Sequence, residues 1–326
     1  MAFDKMIVKK LLKKFDDVPF VVKFPDGEEF KVGEGEPQAI IRANGGIDMG
    51  AVMKSPSLAL GEAYMDKTLE LEKGDLFEIL NMVLAKLEDF ASDFSGLTKI
   101  MKTSTSKKNQ KQEIATHYDI GNEFFELWLD ETMSYSCGYF KHETDTLYDA
   151  QVHKVEHILK KLNLKEGQTL LDIGCGWGYL LIAAAKKYHV KGVGITLSEE
   201  QYKKGQERIK AEGLEGQVEI RLMDYRDLEK SGMTFDRIVS VGMLEHVSRD
   251  NYPLFFKNID KVLNKKGIVL LHYISGRQEH DGDPWIKKYI FPGGIIPSLR
   301  EIIYLIGEYN YYTLDVESLR SHYGKT

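Results

Sequence analysis

The chain has 326 residues, a net charge of −6 and two cysteines. This length allows two domains, and the acidic balance argues against a general nucleic-acid-binding protein. The two cysteines have no paired spacing, which argues against a disulfide framework and indicates a reducing, cytoplasmic location. We find no cleavable signal pattern and no apolar run near the roughly 18 residues that cross a bilayer.

The first predicted element is a basic amphipathic helix. Residues 1–14 carry five lysines against Asp4, and Phe3, Ile7 and Leu11 recur every four residues. Such a helix can lie on an anionic membrane surface, where lysines near the headgroups are attracted. Equally, it can pack on its own domain with a solvated lysine face. The sequence leaves both interpretations open.

The following residues predict a small α+β domain with a strand at 19–24 and a helix at 75–87. Residues 98–112 then carry five lysines and no acid, and 103–111 have no apolar periodicity. We therefore expect a lipid- or membrane-associated N-terminal domain at 1–100, a basic linker at 101–115 and a catalytic domain at 116–326.

Strands and helices alternate regularly in the second domain. Strands are predicted at 169–174, 191–195, 218–223, 235–241 and 267–273, and helices at 178–188, 199–212 and 251–264. This alternation predicts an α/β fold with a doubly wound, mostly parallel sheet. Ligands of such sheets bind at the carboxyl ends of the strands.

The first of these strands runs directly into a glycine-rich turn. Gly174, Gly176 and Gly178 allow the backbone to approach a ligand closely, and Asp172 can face a cationic amino group. A phosphate would be repelled by this carboxylate. The alternative is that the glycines form only a tight strand-to-helix connection.

The next strand ends without the carboxylate that a dinucleotide site requires. Thr196 and Gln201 follow instead, so hydroxyl and amide groups are available to a ribose. Together with Asp172, this pattern predicts a site for S-adenosylmethionine.

Five further motifs resemble the cyclopropane fatty acid synthases. They lie at 117–125, 133–140, 241–246, 271–274 and 283–294. The resemblance covers residues 117–326, and the N-terminal third resembles, less sharply, the extra domain of the bacterial phospholipid-modifying members. It implies a class I methyltransferase sheet and a possible homodimer.

The resemblance also implies a reaction. In that family the methyl group of S-adenosylmethionine is transferred to a cis double bond of a phospholipid acyl chain, and proton loss closes a cyclopropane ring. The implied substrate is an unsaturated phospholipid in a bilayer. The basic N-terminal helix and residues 98–112 are expected to dock on an anionic membrane surface, which predicts peripheral membrane association. Aromatic faces such as those of Tyr135, Tyr139 or Phe140 are expected to stabilise the carbocation.

By resemblance, the base is a bound bicarbonate ion. The matching catalytic positions are Cys137, Glu245, His272, Ile274 through its backbone, and Tyr323. Cys137 is expected to be a pocket wall, because no lysine or arginine lies near it in the sequence to lower a thiol pKa.

The cofactor positions carried over by resemblance are Tyr135, Ser136, Gly174, Gly176, Thr196 and Gln201. Tyr225 and Arg226 would border the adenine, although Arg226 is equally plausible as a surface ion-pair partner.

Several motifs have a structural interpretation beside the functional one. Glu245 and His246 could be a helix-start cap. The insert at 285–297 could pack in the core or form a lid over an acyl-chain channel. His153 and His157 have the spacing of a metal-binding helix but lack a third ligand, so no metal is predicted.

Two alternatives to the cyclopropane reaction stay open. One is a lipid C-methyltransferase that adds a branch without closing a ring, and the other is a lipid-binding relative without catalysis. Because the chain stops three residues after Tyr323, we also expect a C-terminal part of the catalytic domain to be missing.

Overall fold

The computed structural model describes residues 2–82 and 121–326, and the chain divides into two compact units. Unit 1 contains residues 1–102 and 283–288, and unit 2 contains 103–282 and 289–326. The predicted linker at 101–115, the end of the predicted helix at 75–87 and the start of the motif at 117–125 lie outside the described residues.

Unit 1 combines a four-stranded sheet with helices. Its strands are β1 (Phe20–Lys23), β2 (Glu29–Val32), β3 (Ala39–Ala43) and β4 (Leu69–Lys73), in the order β2-β1-β3-β4. Its helices include α1 (Ala2–Leu12), α2 (Met49–Lys54) and α3 (Pro56–Met65), and residues 76–82 are also helical. The strand pairs are antiparallel except for the central pair of β1 and β3.

The helix predicted at the N-terminus is present, and two of its lysines contact acids of the same unit. The Lys5 ammonium lies 3.0 Å from a carboxylate oxygen of Glu28 and also pairs with Asp26. Lys9 pairs with Glu28, and the Lys5 ammonium lies 4.8 Å from the centre of the Phe24 ring. These contacts favour the interpretation in which the helix packs on its own domain.

Unit 2 is built on a five-stranded sheet. Its strands are β5 (Thr169–Ile173), β6 (Lys191–Thr196), β7 (Val218–Leu222), β8 (Phe235–Val241) and β9 (Leu263–His272). The helices are α4 (Asn122–Glu126), α5 (Leu147–Lys161), α6 (Tyr179–Tyr188), α7 (Glu199–Ala211), α8 (Tyr252–Val262), α9 (Pro284–Tyr289), α10 (Leu299–Glu308) and α11 (Arg320–Tyr323). Of these helices, α9 belongs to unit 1 except for its last residue, Tyr289, and in unit 1 the Trp285 ring leaves no room for a Cβ at Gly61.

The strand order β7-β6-β5-β8-β9, with every neighbouring pair parallel, confirms the doubly wound sheet. The chain moves outward from β5 to β7 and then returns to the other side of β5. The carboxyl ends of β5 and β8 therefore flank the point where the order reverses, which is where such sheets form a ligand crevice. In the described part of the chain, no helix is long and apolar enough to span a membrane.

Local sequence explains how these elements begin and end. β5 is apolar apart from Thr169 and Asp172, and its residues Leu170 and Leu171 are fully buried, as expected of a strand covered on both faces. A capping box of Thr146 and Asp149 starts α5. The predicted end of the helix at 264 is wrong, because α8 ends at Val262 and β9 begins with the next residue.

Candidate active site

A cavity opens at the carboxyl ends of β5, β6 and β8. It is lined by the turn after β5, the start of α7, the loop before α5 and the turn after β8. Eight of the ten predicted cofactor residues line it: Tyr135, Ser136, Asp172, Gly174, Gly176, Thr196, Gln201 and Tyr225.

Asp172 provides a buried carboxylate at this cavity. Its side-chain oxygen Oδ1 is buried, and it has no hydrogen-bond partner among residues 2–82 and 121–326. Burial raises the pKa of Asp172 to about 7, and the charge of Lys154 opposes that rise. A buried oxygen of this kind normally has a partner, so the site suits a ligand that donates a hydrogen bond and carries positive charge.

The three glycines after β5 have different surroundings. All have positive φ, from 54° to 83°, a region that L side chains rarely adopt. At Gly174 a Cβ would lie 2.8 Å from Met243 Cγ, and at Gly178 it would lie 2.8 Å from Ile220 Cδ1. At Gly176 a Cβ would meet nothing within 4 Å, and this glycine lines the cavity. Gly176 therefore leaves space for a ligand, whereas Gly178 is required for packing.

The hydroxyl and amide predicted at the second strand are held together. Thr196 Oγ1 donates to Gln201 Oε1 at 2.7 Å, and the Ser198 backbone N–H donates to Thr196 Oγ1 at 3.2 Å. Both Thr196 and Gln201 are buried. This network fixes the two polar side chains at the cavity wall.

Tyr225 and its neighbour Arg226 differ in their relation to the cavity, although the Arg226 guanidinium lies 5.6 Å from the centre of the Tyr225 ring. Tyr225 lines the cavity, and its buried hydroxyl has no hydrogen-bond partner in the described ranges. Arg226 instead forms an ion pair with Asp224, with 2.6 Å between Nη2 and Oδ2. Arg226 is therefore an ion-pair partner, but its side chain is buried and does not lie at the surface as that interpretation expected.

Beside the cavity, the turn after β8 meets the end of β9. The Gly242 N–H donates to the His272 carbonyl at 2.9 Å, and the Ile274 N–H donates to Glu245 Oε1 at 2.7 Å. The predicted residues Glu245, His272 and Ile274 are therefore brought together. Glu245 lies in a short 3₁₀ turn and α8 begins only at Tyr252, so the helix-start interpretation is wrong.

This second cluster presents two buried polar atoms. Glu245 Oε2 and His272 Nδ1 are buried and have no hydrogen-bond partner in the residues that the structure describes. Burial raises the pKa of Glu245 to about 7 and lowers the pKa of His272 to about 4. At neutral pH the imidazole is therefore uncharged and the carboxyl group is close to its titration midpoint.

Cys137 and Tyr323 complete the cluster from opposite ends of the domain. Cys137 is buried, and its Sγ lies 3.8 Å from the Leu319 carbonyl, one helical turn before Tyr323. Burial raises the pKa of the Tyr323 hydroxyl, and the neighbouring Glu245 and Cys137 raise it further. Tyr323 itself is half-exposed.

One sequence-based argument about Cys137 is wrong. Lys154 is distant in sequence, yet its charge acts on Cys137 and opposes the effect of burial. Burial is the larger influence and raises the pKa of the thiol. The raised pKa keeps the thiol protonated and therefore unreactive, while the expected role of Cys137 as a pocket wall stays a prediction, because Cys137 is not among the residues that line the cavity.

A stack of three aromatic rings contains His322, the residue before Tyr323. The Tyr139 ring lies between His157 and His322, with ring centres 4.3 and 4.8 Å away. The Phe140 N–H donates to His322 Nδ1 at 3.1 Å. Because both faces of Tyr139 are covered, the prediction that it could stabilise a carbocation is wrong. The stack instead positions the residue after His322, which is Tyr323.

The insert at 285–297 is divided between the units. In unit 2, the Phe291 ring stacks on Tyr135 with 5.9 Å between ring centres. The Ile295 N–H donates to the Glu245 carbonyl at 2.9 Å, and Ile295 is buried. The later part of the insert thus both packs in the core and brings an aromatic ring to a predicted cofactor residue.

The two histidines with metal-ligand spacing have different partners. His153 Nδ1 lies 3.1 Å from Asp145, and His157 Nε2 lies 2.7 Å from Glu317. Among the described residues, no group of three or more His, Cys, Asp and Glu side chains could hold a metal ion.

Sequence reasoning missed Lys154, whose side chain is 4% exposed and whose Nζ donates to Ser136 Oγ at 2.8 Å. The signal was present. Lys154 lies four residues after Ala150 and four before Ile158, on the buried face of α5. A lysine inside an apolar stripe is rarely buried without a role.

Comparison with known proteins decides the family. The family model described as mycolic acid cyclopropane synthetase matches residues 105–326. The chain belongs to the mycolic acid cyclopropane synthetase family. A model described as a domain of unknown function (DUF7884) matches residues 7–95, outside the part that defines this family.

Curated relatives agree with this membership. The chain is 43% identical over 274 residues to a cyclopropane-fatty-acyl-phospholipid synthase of Escherichia coli K12, covering 82% of this chain and 69% of that protein. It is 39% identical over 316 residues to a "Probable fatty acid methyltransferase" of Pseudomonas putida, covering 95% of this chain and 79% of that protein.

Solved structures of the family share the fold. A mycolic acid cyclopropane synthase complexed with SAH and CTAB superposes with a TM-score of 0.61 at 34% identity, over 66% of this chain and 79% of that one. A cyclopropane synthase from Mycobacterium tuberculosis superposes with a TM-score of 0.62 at 32% identity. This match covers 69% of this chain and 81% of that one. The α/β class I methyltransferase fold predicted from the sequence is confirmed.

Proposed function

We propose that this chain transfers a methylene group from S-adenosylmethionine across a cis double bond of a phospholipid acyl chain. The bound cofactor would supply an electrophilic methyl group, which bonds to one alkene carbon as the carbon–sulfur bond breaks and leaves its electron pair on sulfur. A proton then leaves the new methyl carbon, and its C–H electron pair closes the three-membered ring. The products are a cyclopropane lipid, S-adenosylhomocysteine and a proton.

The residues of the cavity fit this cofactor. Asp172 offers an unpartnered carboxylate oxygen to a cationic amino group, and Gly176 leaves open space beside it. Thr196 and Gln201 offer a fixed hydroxyl and amide to the sugar, and Tyr225 offers a buried hydroxyl. We assign Tyr135, Ser136 and Gly174 to the same half of the site because they line the cavity. Arg226 is left out of this assignment.

The second cluster fits a small anion such as bicarbonate. Cys137, Glu245, His272, Ile274 and Tyr323 would hold it, and it would supply the base for the proton loss. The Ile274 N–H is directed to Glu245, so this backbone group orients the carboxyl group. A neutral His272 can donate one hydrogen bond, and a protonated Glu245 can donate another through Oε2.

The observation that carries this proposal is the pair of buried, unpartnered atoms, Glu245 Oε2 and His272 Nδ1. Buried polar atoms without partners are rare in folded proteins and cost free energy when no ligand satisfies them. Glu245 Oε2 and His272 Nδ1 lie beside the cavity, and a third unpartnered atom, Asp172 Oδ1, belongs to a residue that lines it. These atoms support a site that binds two different polar groups, one at Asp172 and one at Glu245 and His272.

The test is to incubate the chain with S-adenosylmethionine and unsaturated phospholipid vesicles, followed by mass spectrometry and proton NMR of the lipid. We expect a gain of one CH₂, loss of the olefinic signals and new cyclopropyl signals. No gain in mass, with normal cofactor binding, would favour a lipid-binding relative without catalysis.

A second candidate function is a lipid C-methyltransferase that adds a branch. The relative from Pseudomonas putida named "Probable fatty acid methyltransferase", at 39% identity, favours it. In that case the NMR spectrum would show a retained double bond beside a new methyl or methylene group.

We further propose that unit 1 associates peripherally with anionic membranes and that the chain forms homodimers. The five lysines of residues 1–14 support membrane association, although Lys5 and Lys9 pair within unit 1. Vesicle binding and turnover should then fall together as salt rises, because salt screens exposed charges. Salt-insensitive sedimentation with vesicles would contradict the proposed membrane association. A monomeric mass measured by light scattering would contradict the proposed homodimer.

A further inference from the structure

Helix α5 delivers two polar side chains to the candidate site. Lys154 donates from Nζ to Ser136 Oγ at 2.8 Å, and Gln151 donates from Nε2 to the Ser136 carbonyl at 2.8 Å. Both side chains are buried. The loop residue Ser136 is therefore held from α5 at two atoms, and a lysine ammonium is fixed at the cavity wall.

This ammonium is a buried charge without a direct counter-ion. Within residues 2–82 and 121–326, no carboxylate oxygen pairs with Lys154 Nζ at ion-pair distance. Asp172 lines the same cavity with its own unpartnered oxygen. Asp172 and Lys154 therefore line one cavity without an ion pair between them. Burying either group in its charged form costs desolvation free energy, and a ligand between them would complete the arrangement.

We propose that Lys154 is a positioning residue for the cofactor: its ammonium, held by Ser136, keeps Asp172 ionised across the cavity so that Asp172 can accept a cationic amino group. This inference rests on the proposed function, because it takes the ligand to be S-adenosylmethionine or its demethylated product. It adds a residue whose charge sets the affinity without touching the transferred methyl group.

The effects of neighbouring charges on the pKa values of Asp172 and Lys154 have the signs that this inference requires. Burial raises the pKa of Asp172 to about 7, and Lys154 is the neighbour that lowers it. Burial lowers the pKa of Lys154 to about 8, and Asp130, Cys137 and Asp172 oppose that change.

Two further titratable groups face this pair. Lys154 lowers the pKa of His272, so this imidazole stays neutral and adds no charge at neutral pH. Asp172 raises the pKa of the Cys175 thiol, which burial already raises. The ionisation of Asp172 near neutral pH therefore depends mainly on burial and on Lys154.

The sign of the pH effect follows. Only ionised Asp172 attracts the amino group, so cofactor affinity falls as pH drops through the pKa of Asp172. Without the Lys154 charge that pKa is higher, and the fall in affinity occurs at higher pH. A shift of one pKa unit weakens binding about tenfold below the midpoint.

The test is calorimetric titration of S-adenosylhomocysteine, the probe ligand, from about pH 6 to about pH 9, a range that brackets both pKa values. We expect Lys154→Met to bind about tenfold more weakly than the unchanged chain near pH 7 and to recover at high pH. Lys154→Gln keeps a donor for Ser136 and should show the same shift. Lys160→Met removes an exposed lysine from the same helix and serves as the matched control, with no shift expected.

A double-mutant cycle isolates the route through Asp172. In an Asp172→Asn background the carboxylate is absent, so adding Lys154→Met should change the affinity less than twofold, within the additivity error of such cycles. An equal loss in both backgrounds would overturn the inference. So would a loss that is the same at every pH, which a merely structural role of Lys154 would produce.

The outcomes also separate this inference from the proposed function. A pH shift in Lys154→Met without lipid modification by the unchanged chain would support the inference and contradict the proposed reaction. If the unchanged chain bound no S-adenosylhomocysteine at any pH, both would be overturned.

Discussion

The two halves of the candidate site differ in how the chain builds them. The cofactor half comes largely from two consecutive strand-to-helix connections. Asp172 lies near the end of β5 and the glycines follow it, whereas Thr196 ends β6 and Gln201 lies in the first turn of α7. The half around Glu245 is assembled from separate segments that begin at Cys137 and end at Tyr323. A local motif therefore forms the first half, and tertiary packing forms the second.

This difference has a consequence for substitutions. Changes in the cofactor half should act mainly on affinity for the cofactor, because Asp172 and Gly176 face the open cavity. Changes in the Glu245 half should act mainly on turnover. Measuring binding and turnover separately for each variant tests whether the two halves are independent.

The largest effect is expected for Glu245→Gln. This change keeps the size of the side chain and an oxygen that can accept from the Ile274 N–H, but it removes the ability of the carboxyl group to ionise and to exchange a proton. Turnover should fall at least about hundredfold, the scale of a lost acid–base or positioning group, and cofactor affinity should change less than about twofold.

Steady-state kinetics and calorimetry check this prediction together. Glu207→Gln, an exposed carboxyl on α7, is the matched control and should leave both quantities unchanged. Equal loss of binding and turnover in Glu245→Gln would contradict the separation of the two halves.

The reverse pattern is expected for Asp172→Asn. Removing the carboxylate charge should weaken cofactor binding by about tenfold to a hundredfold, since hydrogen bonds between charged groups contribute about 1.5–3 kcal/mol. Turnover at saturating cofactor should largely recover. If saturation restores nothing, Asp172 acts in the chemical step and the assignment is wrong.

Two alanine substitutions in the same turn sharpen the comparison. Gly174→Ala places a Cβ against Met243 at positive φ and should lower the free energy of unfolding by about 1–3 kcal/mol. Gly176→Ala meets no neighbouring atom, so its stability cost should be only the backbone term of about 1–2 kcal/mol.

Their cofactor affinities should rank differently from their stabilities. The methyl group of Gly176→Ala occupies the cavity. This variant should therefore lose more cofactor affinity than Gly174→Ala, relative to the decrease in the free energy of unfolding that each variant shows. Chemical denaturation and calorimetry give both numbers. Gly176→Ala with full affinity would show that the open space beside Gly176 is not used by the cofactor.

The smallest effect is expected for His322→Ala. It removes one ring of the Tyr139 stack and the acceptor for the Phe140 N–H, and it loosens the position of Tyr323. Aromatic contacts of this kind predict a loss of turnover of about three- to tenfold with unchanged cofactor binding. His142→Ala, an exposed histidine outside the stack, is the control. A change in cofactor affinity would place the stack in the other half of the site.

The sequence predicted the sheet and the cofactor half because both follow from local patterns. The strand ending at Ile173, the glycines and Asp172 are contiguous, and the structure places them at the cavity as expected. Gly178 and Arg226 were the exceptions, since packing against Ile220 and pairing with Asp224 are tertiary facts.

The Glu245 half was named only through resemblance to a family. No local spacing rule connects Cys137 with Glu245, which lies more than a hundred positions later, or Glu245 with Tyr323. Lys154 was missed because its proximity to Cys137 and Asp172 depends on how α5 packs on the sheet. Tyr139 was misassigned for the same reason, because the two histidines that cover it are distant in the sequence.

The most direct test of the proposed reaction uses S-adenosylmethionine with a fully deuterated methyl group and an unsaturated phospholipid. If the proton leaves from the transferred methyl, the product should retain two of the three deuterons and show cyclopropyl carbons without an olefin. A product that retains all three deuterons beside a double bond would show proton loss from the acyl chain, and would contradict cyclopropane formation by this chain.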